Sequence, residues 1–279
     1  MYDLIELKIN EFEQIRALVY SYCGISINPN KKVLVEARLR KRFKALNFDS
    51  SDKYFEFLNA RENFDREIVE LIDVITTNKT DFFREPDHFE YLRNVILPNY
   101  SEKNKIEIWS SACSSGEEPY TIAMVMQEFS TSVTPINYEI FASDISITQL
   151  RECKKAIYTL DQIEPISENL RQKYLLRNKN TKLNLFRVVP ELRNKVSVNR
   201  VNLKTEILKI KKTFDVIFCR NVLIYFDKET QKFIVENLIK KLKPDGYLMM
   251  GHSESLVNLG LDIKQVEASI YQKTNPNHF

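Results

Sequence analysis

Four stretches of the 279-residue chain concentrate residues able to hold a small molecule. In SSACSSGEEPY (Ser110–Tyr120), the run of Ser, Ala, Cys and Gly keeps bulk away from the backbone, so a ligand can approach it closely. Glu117 and Glu118 then open a helix. Two acids at a helix N-terminus complement its dipole but repel phosphate. That disfavours a pyrophosphate cofactor and favours a cationic or zwitterionic one. Asp144 follows Gly116 by about 28 residues and ends an apolar run. An acid there commonly takes the two ribose hydroxyls of a nucleoside, and a helix N-cap aspartate reads equally well. Arg220 and Asn221 close the apolar run FDVIFC, a costly place for polar groups without partners. TTNKTDFFRE (Thr76–Glu85) gathers Asn78, Thr80 and Arg84 around Phe82 and Phe83. Neither GxGxxG nor GxxxxGKS/T occurs anywhere, which removes the usual dinucleotide and nucleoside-triphosphate loops.

These residues need a scaffold, and the hydrophobic periodicity supplies one. Glu11–Cys23 spaces Phe12, Ile15, Leu18, Val19 and Tyr22 for a helix, with Gly24 as its C-cap. Pro29 opens a second helix to about Leu46. Ser51 or Asp52 caps a third through Ala60, and Asp65 caps a fourth through Ile75. Residues 1–75 therefore read as a small helical domain. From Ile106 the rhythm changes: Ile106–Ser110, Tyr138–Asp144, Phe214–Arg220 and YLMMG read as strands. Helices lie between them, starting near Glu117, near Ile147 and after a cap at Asp227, and KPDG reads as a turn. Alternating strands and helices imply an α/β domain over 76–279 with a mostly parallel, doubly wound sheet. Ligands in such sheets sit beyond the carboxyl ends of the strands, where the chemistry-bearing stretches fall. Residues 158–203 break the alternation. Strands at Leu183–Val189 and Lys195–Val201, around Pro190, read as a small β insertion.

Composition narrows the function classes. Apolar residues make up 43% and charged residues 28%, as in a globular chain. No run approaches the roughly 18 apolar residues of a membrane helix, and the N-terminus lacks a signal-peptide pattern. A cytoplasmic protein without membrane insertion is expected. Cys23, Cys113, Cys153 and Cys219 form no CxxC pair, so four reduced, buried thiols and no metal site are expected. A net charge of +3 is too small to imply nucleic acid. Its distribution is uneven, with seven basic residues and one acid, Glu36, between Lys31 and Lys44. Arg38, Lys41 and Arg42 share one helix face there, suited to an acidic helical partner.

Taken together, TTNKTDFFRE, SSACSSGEEPYTIA, FASDI, VNL, IFCRNVLIYFDKETQ and LKPDGYLMMGHSES resemble the successive motifs of the CheR-type chemotaxis-receptor glutamate O-methyltransferases. The resemblance runs in order from Thr76 to Ser255. It implies a Rossmann-like methyltransferase sheet using S-adenosylmethionine and releasing S-adenosylhomocysteine. It also implies, as partner, the helical cytoplasmic region of chemoreceptors. By this resemblance Asn78, Thr80 and Arg84 belong to the cofactor and active-site segment, and Glu118 faces the cofactor's methionine–adenosine part. Asp144 takes the ribose, Asn202 and Leu203 lie beside the adenine, and Arg220 and Asn221 close the methionine side. Tyr225 matches an active-site tyrosine near the transferred methyl. Arg84 is the catalytic candidate for orienting the carboxylate through its fork of donors, and the basic face of Arg38, Lys41 and Arg42 supplies the candidate substrate contacts. His252, in GHSES, reads as a satisfied core histidine. Some family members hold a receptor's C-terminal peptide on a Gly-containing loop of the β insertion. Here Arg177–Asn184 has no glycine, and that tether is not expected.

Overall fold

A computed structural model of the chain describes residues 6–100, 105–256 and 259–274. These fall into two units. One comprises residues up to Thr77 together with Tyr225–Thr230, and the other comprises Asn78–Ile224 together with the residues from Gln231 on.

The first unit is built from α1 (Ile9–Cys23), α2 (Lys32–Leu46), α3 (Ser51–Asn59) and α4 (Arg61–Ile75). Each buries the stripe its spacing marks out. Phe12, Ile15 and Val19 come from α1, Val35, Leu39 and Phe43 from α2, Tyr54 and Leu58 from α3, and Ile68, Leu71 and Ile72 from α4. Two helix starts differ from the sequence reading. Ser50, not Ser51 or Asp52, caps α3, its hydroxyl accepting from Lys53 N. Asp65 caps nothing, because α4 begins at Arg61 after an extended Ala60, whose carbonyl accepts from Phe64 N at 3.1 Å. Continuous packing of the apolar stripe outweighs the local aspartate signal.

The second unit opens with α5 (Asp87–Tyr91) and then alternates β1 (Lys105–Ser110), α6 (Glu117–Ser132), β2 (Asn137–Asp144) and α7 (Ile147–Lys155). There follow β3 (Ile157–Thr159), α8 (Glu168–Tyr174), β4 (Leu175–Arg177), β5 (Leu185–Val188), α9 (Pro190–Arg193) and β6 (Val196–Arg200). The chain ends through β7 (Phe214–Cys219), α10 (Lys228–Lys241), β8 (Leu242–Met250), β9 (Lys264–Glu267) and β10 (Ile270–Gln272). The main sheet has the order β6-β2-β1-β7-β8-β10-β9. Its first five strands run parallel, and β10 and β9 add antiparallel at one edge. Every residue of β7 is buried, as its unbroken apolar run requires.

Two strand expectations are corrected. Lys195–Val201 does not belong to the β insertion. Its strand, β6, pairs parallel with β2, placing Asp144 opposite Arg200. The insertion's own sheet is the antiparallel set β3-β5-β4. Likewise KPDG is not a free turn: it lies within β8, where the register against β7 shifts and Asp245 adopts φ 60°. The extra backbone is absorbed as a bulge. All four cysteines are free and buried. Among the described residues no helix is long and apolar enough to cross a membrane.

Candidate active site

The chain leaves β1 toward β2 and β6 on one side, then returns to β7 on the other. The carboxyl ends of β1 and β7 therefore form the switch point where the two connecting loops part, the usual place for a ligand in an open α/β sheet.

The loop after β1 is fastened to its neighbours by backbone groups. Ser111 N donates to Phe218 O at 2.9 Å and Cys113 N to Ser143 O at 2.8 Å. Ser114 N donates to Asp144 Oδ2 at 2.8 Å, and Ser114 Oγ to Asn78 O at 2.9 Å. Gly116 ends the loop at φ +102°, and a Cβ there would lie 2.8 Å from Cys153 Sγ and 2.9 Å from Tyr158 Oη. Only glycine satisfies both the backbone angle and the space. Asp144 Oδ1 accepts a second backbone N–H, from Ser146 at 2.9 Å. Its main-chain carbonyl accepts from Val201 N, which brings buried Asn202 and Leu203 beside it. Asp144, the bare loop and the apolar Leu203 suit a nucleoside. The acids at the start of α6 suit a cation rather than a phosphate. These residues fit a sulfonium nucleoside.

Across the switch point lies a buried ion pair. Glu118 Oε1 accepts from Ser110 Oγ at 2.6 Å, and Oε2 accepts from Arg220 Nε at 2.8 Å. The Arg220 side chain is 2% exposed. Its Nη1 donates to Arg84 O at 2.8 Å and contacts His88 Nδ1 at 2.8 Å. Glu85 O and Oε2 stand at 3.4 and 3.5 Å, and the Phe89 ring centroid is 5.1 Å from the guanidinium carbon. Asn221, at φ 57°, donates through Nδ2 to Glu85 Oε1 at 3.1 Å. Arg84 is different. Its guanidinium donates to Lys79 O at 3.2 Å and forms no ion pair among the described residues. Asn78 and Thr80 stand half-buried on the same segment.

Electrostatics sort the titratable groups. Burial would raise Glu85, but the Asn221 hydrogen bond and the Arg220 charge together bring it below the ordinary carboxylate range. Burial, reinforced by Arg220, lowers His88 to about 4, so it is neutral at pH 7. Burial raises Glu117 to about 7, against hydrogen bonds led by Ser115. The last two oppose each other in stability. His88, depressed from 6.5, contributes fully above pH 6.5 and loses its contribution as pH falls toward 4. Glu117, raised from 4.5, contributes fully below pH 4.5 and loses its contribution as pH rises toward 7. Urea unfolding of Glu117→Gln beside the parent isolates the second effect. The stability of the variant relative to the parent is expected to climb by about 3 kcal/mol between pH 4.5 and 7. Parallel curves would place Glu117 at an ordinary carboxylate value.

Other sequence expectations are redistributed. Tyr225 groups with the helical unit, where its carbonyl accepts from Ser26 N at 2.8 Å. Of the three candidate substrate contacts on α2, Arg38, Lys41 and Arg42, only Lys41 is exposed. Arg42 is held as a fork by Glu67 at 2.6 and 3.0 Å and by Glu70 at 3.0 Å. Arg38 donates to Ile75 O and to Thr77 Oγ1. Glu67, an acid on the apolar stripe of α4, was the available signal that a basic residue of α2 is consumed inside the unit. His252 is not a core histidine: its side chain is 45% exposed and its Nε2 lies 3.1 Å from Asp87 Oδ2. The core histidine is His88, which no motif marked. Glu85, His88 and His252 bring ligand-type atoms within 4.8 Å of one another. However, the guanidinium of Arg220 takes the Nδ1 lone pair of His88, where a cation would compete with it. Glu254 was also missed. It is buried, and it accepts from the N–H groups of Asn221, Leu223 and Gly251 at 2.7 to 2.8 Å.

Comparison with known proteins agrees with this geometry. Residues 10–76 match the CheR methyltransferase all-alpha domain, and residues 78–272 match the CheR methyltransferase SAM-binding domain. The chemotaxis protein methyltransferase of Borreliella burgdorferi is 40% identical over 260 residues, covering 90% of each chain. That of Salmonella typhimurium is 38% identical over 259 residues, covering 93% of this chain and 88% of its own. The Escherichia coli protein is 34% identical over 261 residues, covering 93% of this chain and 89% of its own. This chain belongs to the CheR methyltransferase family, S-adenosylmethionine-dependent protein-glutamate methyltransferases of chemotaxis.

Proposed function

We propose that the chain works in the cytoplasm, methylating glutamate side chains on the helical region of chemoreceptors and leaving methyl esters. The observation that carries this reading is the contrast between two arginines. Arg220 is buried and held through Nε by Glu118 and through Nη1 by His88 and backbone carbonyls, so it builds the site. Arg84 keeps most of its donor fork for a ligand, and a planar fork matches a carboxylate.

Asn78, Thr80, Glu118, Asp144, Asn202, Leu203, Arg220 and Asn221 would hold the cofactor, which supplies an electrophilic methyl on a positive sulfur. A glutamate side chain has a pKa near 4.3, so it is already anionic at pH 7 and needs no general base. The protein's task is then positioning and the exclusion of water, since water stabilises separated charges more than a transition state in which they disperse. Arg84 orients the incoming carboxylate, and Tyr225 carries the family's active-site tyrosine role. The test is incubation with methyl-labelled cofactor and receptor membranes. Label released by mild base as methanol marks an ester. Label that stays bound, or goes to nucleic acid, would overturn the reading.

For docking, α2 offers Val33, Ala37 and Lys41 at four-residue steps, all exposed, a mixed apolar and basic face suited to an acidic helix. Charge at such a rim acts mainly through association and is screened by salt. Lys41→Glu should lower kcat/KM for receptor by roughly 3- to 10-fold at low ionic strength. The loss should shrink as salt is added, and cofactor affinity should not change. A salt-independent effect would remove Lys41 from the docking face. Reversing Arg42 is a different experiment, because it strands buried Glu67 and should unfold the unit rather than weaken docking.

A further inference from the structure

Resting on the reading above, we propose that His88 is a positioning residue for methyl transfer: as a hydrogen-bond acceptor it sets the Arg220 guanidinium, which in turn fixes the main chain of Arg84. The argument starts from the proton. A guanidinium has only donors, so the His88 Nδ1 that it meets at 2.8 Å must present a lone pair. The remaining proton is then on Nε2, which is buried and has no hydrogen-bond partner among the described residues. A fully buried histidine with one unsatisfied nitrogen is an expensive way to fill space that a phenylalanine would fill. Its worth lies on the other nitrogen.

Arg84 needs such a support. Its two neighbours, Phe83 and Glu85, both adopt left-handed backbone angles, φ 54° and 55°. A bulky aromatic there is an outlier that persists only where the surroundings over-determine it. Phe83 N donates to Thr121 Oγ1 at 3.2 Å, and Asn221 holds the Glu85 carboxylate. The carbonyl of Arg84 itself is held by Arg220 Nη1, the nitrogen that also meets His88. Arg220 Nε is fixed separately by Glu118. Removing the acceptor at His88 therefore frees one end of the guanidinium and, through it, the strained turn that aims Arg84. Burial first, then the Arg220 charge and His252, outweigh the opposing Glu85 and Asp87 that also face the imidazole, and leave it neutral across physiological pH.

The test compares His88→Phe, which keeps a ring and deletes the acceptor, with His88→Asn, which returns an acceptor near the Nδ1 position. Active sites are counted by S-adenosylhomocysteine titration, and receptor methylation is measured on that basis. His88→Phe is expected to lower kcat by roughly 100-fold, the scale of an ångström-sized misplacement. The receptor KM and the product affinity should stay within about threefold of the parent. His88→Asn should recover most of the lost kcat. An unchanged kcat in His88→Phe, or an Asn variant as impaired as the Phe variant, would overturn the proposal.

Nitrogen-15 spectra of the parent protein give a readout independent of methylation, and the chain has only three histidines to assign. Here His88 is expected as the Nε2–H tautomer, unchanged from about pH 5.5 to 8. A protonated Nδ1, or titration near the ordinary value, would also overturn it, including where His88→Phe fails to fold. Failure of the parent to methylate receptors would overturn the proposed function instead, so the two failures are separable.

Discussion

Arg84→Ala is expected to lower turnover by about a thousandfold while S-adenosylhomocysteine affinity changes by less than about tenfold. The asymmetry follows from what Arg84 does not do. Its guanidinium forms no ion pair among the described residues and donates to Lys79 O, on an exposed segment. Its removal therefore strands no buried charge. Glu118, Arg220 and Asp144 keep their partners, so the fold and most of the proposed nucleoside contacts should remain. What would be lost is the fork proposed to hold an anion against a cationic methyl donor, an interaction realised only when both reactants are present. Arg84→Lys keeps the charge and loses the bidentate geometry, so it should fall between parent and alanine. Single-turnover methylation of receptor membranes, with binding measured calorimetrically on the same preparations, separates the two quantities. A proportional loss of binding and turnover would make Arg84 a cofactor ligand. Unchanged turnover would remove it from the reaction.

How much of this was legible beforehand depended on the range of the interactions concerned. Phe12, Ile15 and Val19 announce α1 because a helix stripe is local, and FDVIFC announces a central strand because burial on both faces shows in every residue. Asp144 and Glu118 were readable because a strand end followed by an acid is a short-range pattern. The strand Val196–Arg200 was seen, but its partner β2 lies more than fifty residues away, and nothing in its own residues chooses between two sheets. Arg42 looked like its exposed neighbour Lys41, and only Glu67, on another helix, tells them apart. His88 had no readable signal at all. Its meaning is a contact with Arg220, 132 residues later. His252, inside a motif, drew attention that its exposed side chain does not match. Sequence patterns thus pointed to the residues proposed to meet a ligand, and missed those that hold them in place.

Glu254→Ala should cost about 3–5 kcal/mol of stability, measured by urea unfolding of the whole chain. The Glu254 carboxylate joins the segment after β7 to the segment after β8. Its Oε2 accepts from Asn221 N and Gly251 N, both at 2.8 Å, and its Oε1 accepts from Leu223 N at 2.7 Å. Burial raises its pKa, and the backbone donors, Asn221 first, work against that rise. Deleting the side chain leaves three N–H groups without their acceptor in a place where water enters poorly, and each such loss costs about 1–3 kcal/mol. Glu254→Gln should lose less, because an amide oxygen in the Oε2 position still serves two donors and only Leu223 N meets an amide NH₂. Gly251 gives an independent check. A Cβ there would lie 2.7 Å from Glu254 Oε2 and 2.6 Å from Asn221 Nδ2, so Gly251→Ala must break the same fastening by pushing from the other side. Two routes to one broken contact are not additive. The double variant should therefore fall well short of the summed losses of the two singles, and strict additivity would mean that Glu254 and Gly251 stabilise the strand ends separately.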